Sequence, residues 1–269
     1  MATPNTSLPD SWSRVMIPWV EPTIDGGRWP IKRIRHEPVT VRTGIVVDGH
    51  DEIAAELAYR AEGDDTTHAV RLNPTGNDEF EATFTPAKLG LYTYEVRAWL
   101  DRFGTWQDQF ERRVQGGAPE HEITGELHDG AVLLRRTADY TEDDHVATRL
   151  RRTADAFEER DIDQALNPEL LSVMQAHAPR DMEARSEAYE LQVDPRLARE
   201  AAWYEFFPRS AGPTEAHATF DDAAKLLPRI REMGFDIAYL PPIHPIGETN
   251  RKGKDNAPTA EPGDVGSPW

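Results

Sequence analysis

At 269 residues the chain is long enough for one large domain or for two to three small ones. Its 48 Asp and Glu against 30 Lys and Arg leave a formal net charge of −18, which repels nucleic acid and anionic lipid and excludes general polyanion binding. Cysteine is absent, so a disulfide framework, a thiol nucleophile and a thiolate metal site are excluded.

The first ten residues hold no basic stretch followed by an apolar one, and no apolar run is long enough to span a bilayer. A soluble, cytoplasmic protein with no membrane or nucleic-acid partner is therefore expected. The acidity reads as solvated surface charge or as adaptation to salt, and composition does not separate the two.

Residues 14–114 alternate with period two between turn residues, the pattern of short antiparallel strands. Val39, Val41 and Ile45 lie on such a strand, which ends at the Asp48-Gly49 turn. Ile53, Ala55, Leu57 and Tyr59 share one face of the next. Asn73-Pro74-Thr75-Gly76 reads as a turn before Phe80, Ala82 and Phe84, and Tyr92, Tyr94, Val96 and Ala98 line the longest strand. Strands at this spacing predict an immunoglobulin-like β-sandwich over residues 1–117.

Residues 118–202 change to a helical period and predict a small bundle. Thr141 with Asp144 has the form of a capping box, and Val146, Leu150, Ala154 and Phe157 then stack on one face. Asn167-Pro168 and Asp194-Pro195 each pair a capping residue with proline at the first helical position, so both read as helix starts.

From Trp203 the order is strand, helix, strand. Residues 203–207 are an aromatic run stopped by Pro208, and Thr219 with Asp222 forms a capping box. Leu226, Leu227, Ile230 and Met233 form the predicted buried stripe, with Gly234 as the helix end. Residues 237–240 predict a strand buried on both sides and halted by Pro241-Pro242. Beyond it, Arg251, Lys252 and Lys254 make a local basic cluster around Gly253, of the kind that attracts a phosphate at the carboxyl end of a parallel strand. The glycines fit neither a Walker loop nor a G-x-G-x-x-G turn.

Residues 234–247, Gly-Phe-Asp-Ile-Ala-Tyr-Leu-Pro-Pro-Ile-His-Pro-Ile-Gly, resemble the second-strand region of α-amylase superfamily barrels. Residues 249–254, Thr-Asn-Arg-Lys-Gly-Lys, and 262–269, Pro-Gly-Asp-Val-Gly-Ser-Pro-Trp, are similar to the bacterial maltosyltransferases that use α-maltose 1-phosphate. Residues 203–210 resemble the first barrel strand of that family, and residues 25–30, Asp-Gly-Gly-Arg-Trp-Pro, its amino-terminal sandwich. The resemblance departs at Asp255, where a second asparagine is expected beside Asn256.

That resemblance implies a retaining transfer of maltosyl units from α-maltose 1-phosphate to the non-reducing end of an α-1,4-glucan, with release of phosphate, by a homodimer. It assigns donor contact to Lys252. Arg251 and Lys254 read as electrostatic support, His244 as a sugar contact or a structural residue, and Trp203 and Trp269 as stacking or packing residues. No cofactor and no metal are expected. A (β/α)₈ barrel takes about 250 residues, and residues 203–269 supply only its first βαβ unit and the following loop. The nucleophile and acid/base carboxylates are therefore expected beyond Trp269, with no catalytic residue in this chain and no turnover by it alone. Two alternatives share parts of the pattern. One is another α-amylase superfamily enzyme, such as a branching enzyme or an amylase; the other is a glucan-binding or dimerisation module.

Overall fold

The structure is a computed structural model that describes residues 14–212, 217–244 and 247–264. The chain divides into two compact units, Met1–Asp194 and Pro195–Trp269. It is a multidomain chain, rich in sheet with several helices.

The first unit begins with β1 (Val15–Glu21), β2 (Ile31–Ile34), β3 (Val39–Val47), β4 (Ile53–Ala61), β5 (His68–Arg71), β6 (Asn73–Gly76), β7 (Glu79–Phe84) and β8 (Gly90–Leu100). Five helices follow: α1 (Arg102–Gln115), α2 (Glu120–Tyr140), α3 (Asp144–Glu158), α4 (Ile162–Ala165) and α5 (Pro168–His177). Strands β9 (Asp181–Arg185) and β10 (Tyr189–Asp194) close the unit.

One sheet has the order β1-β3-β7-β6, and the other runs β2-β10-β8-β4-β5 with β9 also paired to β8. All pairs in the unit are antiparallel except β10 with β2. The alternation read from sequence is the burial pattern: Val39, Val41 and Ile45 of β3 and Tyr92, Tyr94, Val96 and Ala98 of β8 are buried in one apolar cluster. Strands from both sheets contribute to that cluster, so each sheet covers the other's apolar face. Thr43 also points inward, fully buried, and donates its hydroxyl to the Trp19 carbonyl at 2.6 Å. Gly44 leaves room for the Trp19 indole, whose Nε1 would lie 2.5 Å from an added Cβ.

The helices hold a second apolar cluster. Phe103, Trp106 and Phe110 of α1 line it at helical spacing, and the Trp106 ring stacks at 5.2 Å on Phe110 and at 5.5 Å on Phe157. Leu150, Ala154 and Phe157 of α3 are buried there, on the face their spacing predicts.

Several expectations are corrected. Residues 102–115 are helix rather than strand, capped by Asp101, whose carboxylate accepts from the Gly104 amide at 2.7 Å. Asp143, not Thr141, caps α3, accepting from His145 and Val146 amides at 2.9 and 3.1 Å, while Thr141 ends α2. The amide bonds hold the Asp143 carboxyl below its ordinary range. Asn73–Gly76 is a strand, and the chain reverses at Asn77-Asp78, both at positive φ (53° and 60°) as a tight hairpin requires. Asp194 ends a strand instead of starting a helix; only a short 3₁₀ turn, Arg196–Ala198, follows it.

Helix α1 starts before residue 118 and β9 and β10 return to the sheet after α5, so the helices interrupt the sheet, and the two compact units divide at 194/195.

In the second unit β11 (Trp203–Glu205) pairs in parallel with β12 (Ile237–Tyr239). The crossover carries α6 (Phe220–Ala224) and α7 (Leu227–Glu232) in place of the single predicted helix. Pro228, which is confined to a first helical turn, starts the second piece. Ile230 is buried, but Leu227 and Met233 are 45% and 47% exposed, so the expected stripe is only partly covered. Strand β12 was expected to be buried on both sides, yet Ala238 and Tyr239 are exposed, because β11 is its only sheet neighbour among the described residues. The Thr219–Asp222 capping box is present, and Lys225 with Thr219 pulls the Asp222 carboxyl down to about 2.

Candidate functional site

The carboxyl ends of β11 and β12 open into a concavity of about 370 Å³. Phe207, Pro208 and Arg209 line it after the first strand, Thr219 and Phe220 at the start of α6, and Pro242, Ile243 and His244 after the second strand. Prolines stop both strands, which turns the following chain outward and leaves the strand ends open. The Arg209 guanidinium lies over the Phe207 ring at 5.5 Å. His244 is exposed at this rim. Trp203 lies at the opposite end of β11 and is 58% exposed, with its ring centroid 6.1 Å from that of Tyr239. It is not among the residues lining the concavity. Trp269 and the rest of residues 265–269 lie outside the described residues, as do residues 1–13, 213–216, 245 and 246.

The basic loop is a closed structure rather than a loose tether. The Gly253 amide donates to the Ala257 carbonyl at 2.9 Å, and the Ala260 amide donates to the Arg251 carbonyl at 3.1 Å. Arg251 is half-buried and its Nη2 donates to the Asp264 carbonyl; its Nε is buried with no hydrogen-bond partner among the described residues. Arg251 therefore braces the loop. Lys252 is exposed, and its ammonium donates to Asn256 Oδ1 at 2.7 Å. An ammonium carries three donors, and this is the one hydrogen bond it makes among the described residues. Lys254 is exposed as well, while its amide donates to Asp264 Oδ2 at 3.3 Å.

Asp255 and Asn256 both sit at positive φ (55° and 63°), a conformation that Asp and Asn tolerate better than most residues. Aspartate at 255 thus serves the backbone as an asparagine would. Sequence reasoning singled out Lys252 but missed Asp264, which ties the loop shut, and Asn256, which holds the ammonium. Lys252 is not among the residues lining the concavity.

A two-sheet domain interrupted by helices, followed by a parallel strand–helix–strand unit with a cationic loop at its carboxyl end, makes this a multidomain chain. The sequence model described as "Alpha-1,4-glucan:maltose-1-phosphate maltosyltransferase, domain N/S" matches residues 13–195, the span of the first compact unit. The chain is 52% identical over 262 residues to the alpha-1,4-glucan:maltose-1-phosphate maltosyltransferase of Salinibacter ruber, covering 97% of this chain and 39% of that protein. It is 39% identical over 265 residues to the protein of the same name from Chlorobaculum tepidum, with the same shares covered. The namesake from Mycobacterium tuberculosis strain H37Rv is 37% identical over 291 residues, covering 95% of this chain and 41% of that protein. The chain belongs to the alpha-1,4-glucan:maltose-1-phosphate maltosyltransferase family. It spans about two fifths of the length of these relatives.

Proposed function

We propose that this chain is the donor-gripping front part of a maltosyltransferase that moves maltosyl units from α-maltose 1-phosphate to the non-reducing end of an α-1,4-glucan. The bond from the sugar's C1 to phosphate oxygen breaks, a bond from C1 to the acceptor hydroxyl oxygen forms, and phosphate leaves. Retention of configuration requires two such displacements, with a carboxylate nucleophile and an acid/base about 5 Å apart. In this reading neither group is an Asp or Glu of this chain, and the 269 residues alone turn nothing over.

The similarity to the Salinibacter protein, continuous over 97% of the chain, carries the proposal. The exposed Lys252 supports it, since a lysine whose neighbours are fixed presents its charge to a phosphate in one place. The two-sheet domain is then the family's immunoglobulin-like sandwich, and β11 and β12 are the first strands of a (β/α)₈ barrel, whose ligands gather at the carboxyl ends. A cytoplasmic homodimer completes the reading. No helix among the described residues is long and apolar enough to cross a membrane.

The test is phosphate release from α-maltose 1-phosphate and a maltooligosaccharide by the complete gene product, beside the 269-residue chain. Release by the first alone is expected. Release by the short chain overturns the placement of the carboxylates, and none by the complete protein overturns the activity.

A further inference from the structure

We infer that Asp264 is a positioning residue for the donor phosphate, acting through Lys252; the inference rests on the donor contact proposed for that lysine. Four bonds converge on Asp264. Its Oδ2 accepts from the Lys254 amide at 3.3 Å and from the Glu261 amide at 2.9 Å. Its own amide donates to the Glu261 carbonyl at 3.0 Å, and its carbonyl accepts from Arg251 Nη2. Arg251 and Lys254 flank the Lys252-Gly253 pair, so one residue fixes the chain on both sides of the cationic side chain.

Packing reinforces the clasp. Gly253 lies so close to the returning chain that an added Cβ would meet the Thr259 carbonyl oxygen at 2.5 Å and Asp264 Oδ2 at 2.8 Å. Such contacts have no room to relax, because one partner is backbone. The two amide bonds hold the Asp264 carboxyl below its ordinary range, with Arg251 and Lys254 adding to the effect, so the group is charged at neutral pH and accepts strongly. The ammonium of Lys252 is exposed, and Asn256 Oδ1 accepts from it at 2.7 Å, which sets its resting direction. A ligand that takes this ammonium meets a donor placed in advance rather than one that must be ordered on binding.

The experiment compares donor kinetics of the complete gene product and its Asp264→Ala, Asp264→Asn, Lys252→Met and Lys252→Met/Asp264→Ala variants, with phosphate release as the readout at saturating acceptor. Asp264→Ala is expected to raise the donor KM about tenfold or more and to change kcat less. In Asp264→Asn the amide oxygen still accepts both amides, and KM returns most of the way. In the Lys252→Met background Asp264→Ala adds nothing further, because its effect passes through the lysine. An unchanged donor KM in Asp264→Ala, or an equal factor in both backgrounds, overturns the inference and leaves the role of Lys252 standing. An unchanged KM in Lys252→Met overturns that role itself, and the inference with it. Should Asp264→Ala not fold, Asp264→Glu, which keeps the charge but shifts it by one methylene, is read in the same way.

Discussion

Asp181 and Arg136 meet side-on: Nη1 and Nη2 of the guanidinium each donate to a separate carboxylate oxygen at 2.6 Å. Arg102 adds a third bond at 2.5 Å. The carboxylate opens β9 while its partners sit on α1 and α2, so this cluster fastens the helices to the sheet.

Asp181 is only 17% exposed, although both arginines are nearly half exposed and partly screened. Asp181→Ala is expected to cost about 1–3 kcal/mol, which urea unfolding measures. The arginine bonds hold the Asp181 carboxyl below its ordinary 3.8. Its contribution is therefore complete above the unfolded value and lost as pH falls through the lower folded one. Stability of the wild type should drop more steeply than that of Asp181→Asn as pH falls below about 4, the ordinary aspartate value. Parallel curves would remove the cluster from the acid response.

Gly125 and Gly130 lie on the same helix, α2, and should answer alanine in opposite ways. An added Cβ at Gly125 meets nothing within 4 Å, whereas at Gly130 it meets Trp106 Cζ2 at 2.3 Å. Gly125→Ala is expected to stabilise by about 0.5–1 kcal/mol through helix propensity. Gly130→Ala gains the same propensity but forces the buried indole to move, for a net loss of about 1–2 kcal/mol. Thermal melts of the two variants check the signs, and a Gly130→Ala protein as stable as wild type would mean that Trp106 has room to shift.

Gln107 is buried in α1 and donates Nε2 to the Ala165 carbonyl at 2.8 Å, joining α1 to the end of α4. Gln107→Leu keeps the bulk and removes the donor, leaving that carbonyl unpaired. The expected cost is about 1–3 kcal/mol in denaturant unfolding. A neutral result would show that water replaces the amide.

The net charge of −18 works against the compact state through self-repulsion. Screening by added salt should raise the melting temperature steadily from low ionic strength to about 1 M, where the Debye length is about 3 Å. A melting temperature that stays level, or falls, over that range would show that attractive ion pairs offset the repulsion.

Legibility from sequence followed the local signal. In β3 and β8 alternation and burial coincide, because each strand has one face on the core. Helix α1 escaped because it follows β8 after a single residue and is built on Phe103, Trp106 and Phe110, aromatic residues that favour strands. Their three- and four-residue spacing was the available sign. Strands β9 and β10 failed in the other direction: Met182, Glu183, Ala184 and Arg185 favour helix, and pairing with distant β8 overrode that preference. Tyr189, Leu191 and Val193 alternate and did carry the signal. At the candidate site the residue types around Lys252 were readable in order, but the bonds from Arg251 and Lys254 to Asp264 span 13 and 10 residues and have no periodicity to reveal them.

Leu100 and Asp181 are partners across a rung of the sheet, although helices α1 to α5 lie between them in the chain. The excursion leaves and rejoins at one point, as a pendant hangs from one link. Such an appendage can be lengthened, trimmed or exchanged for a short turn without re-threading any strand.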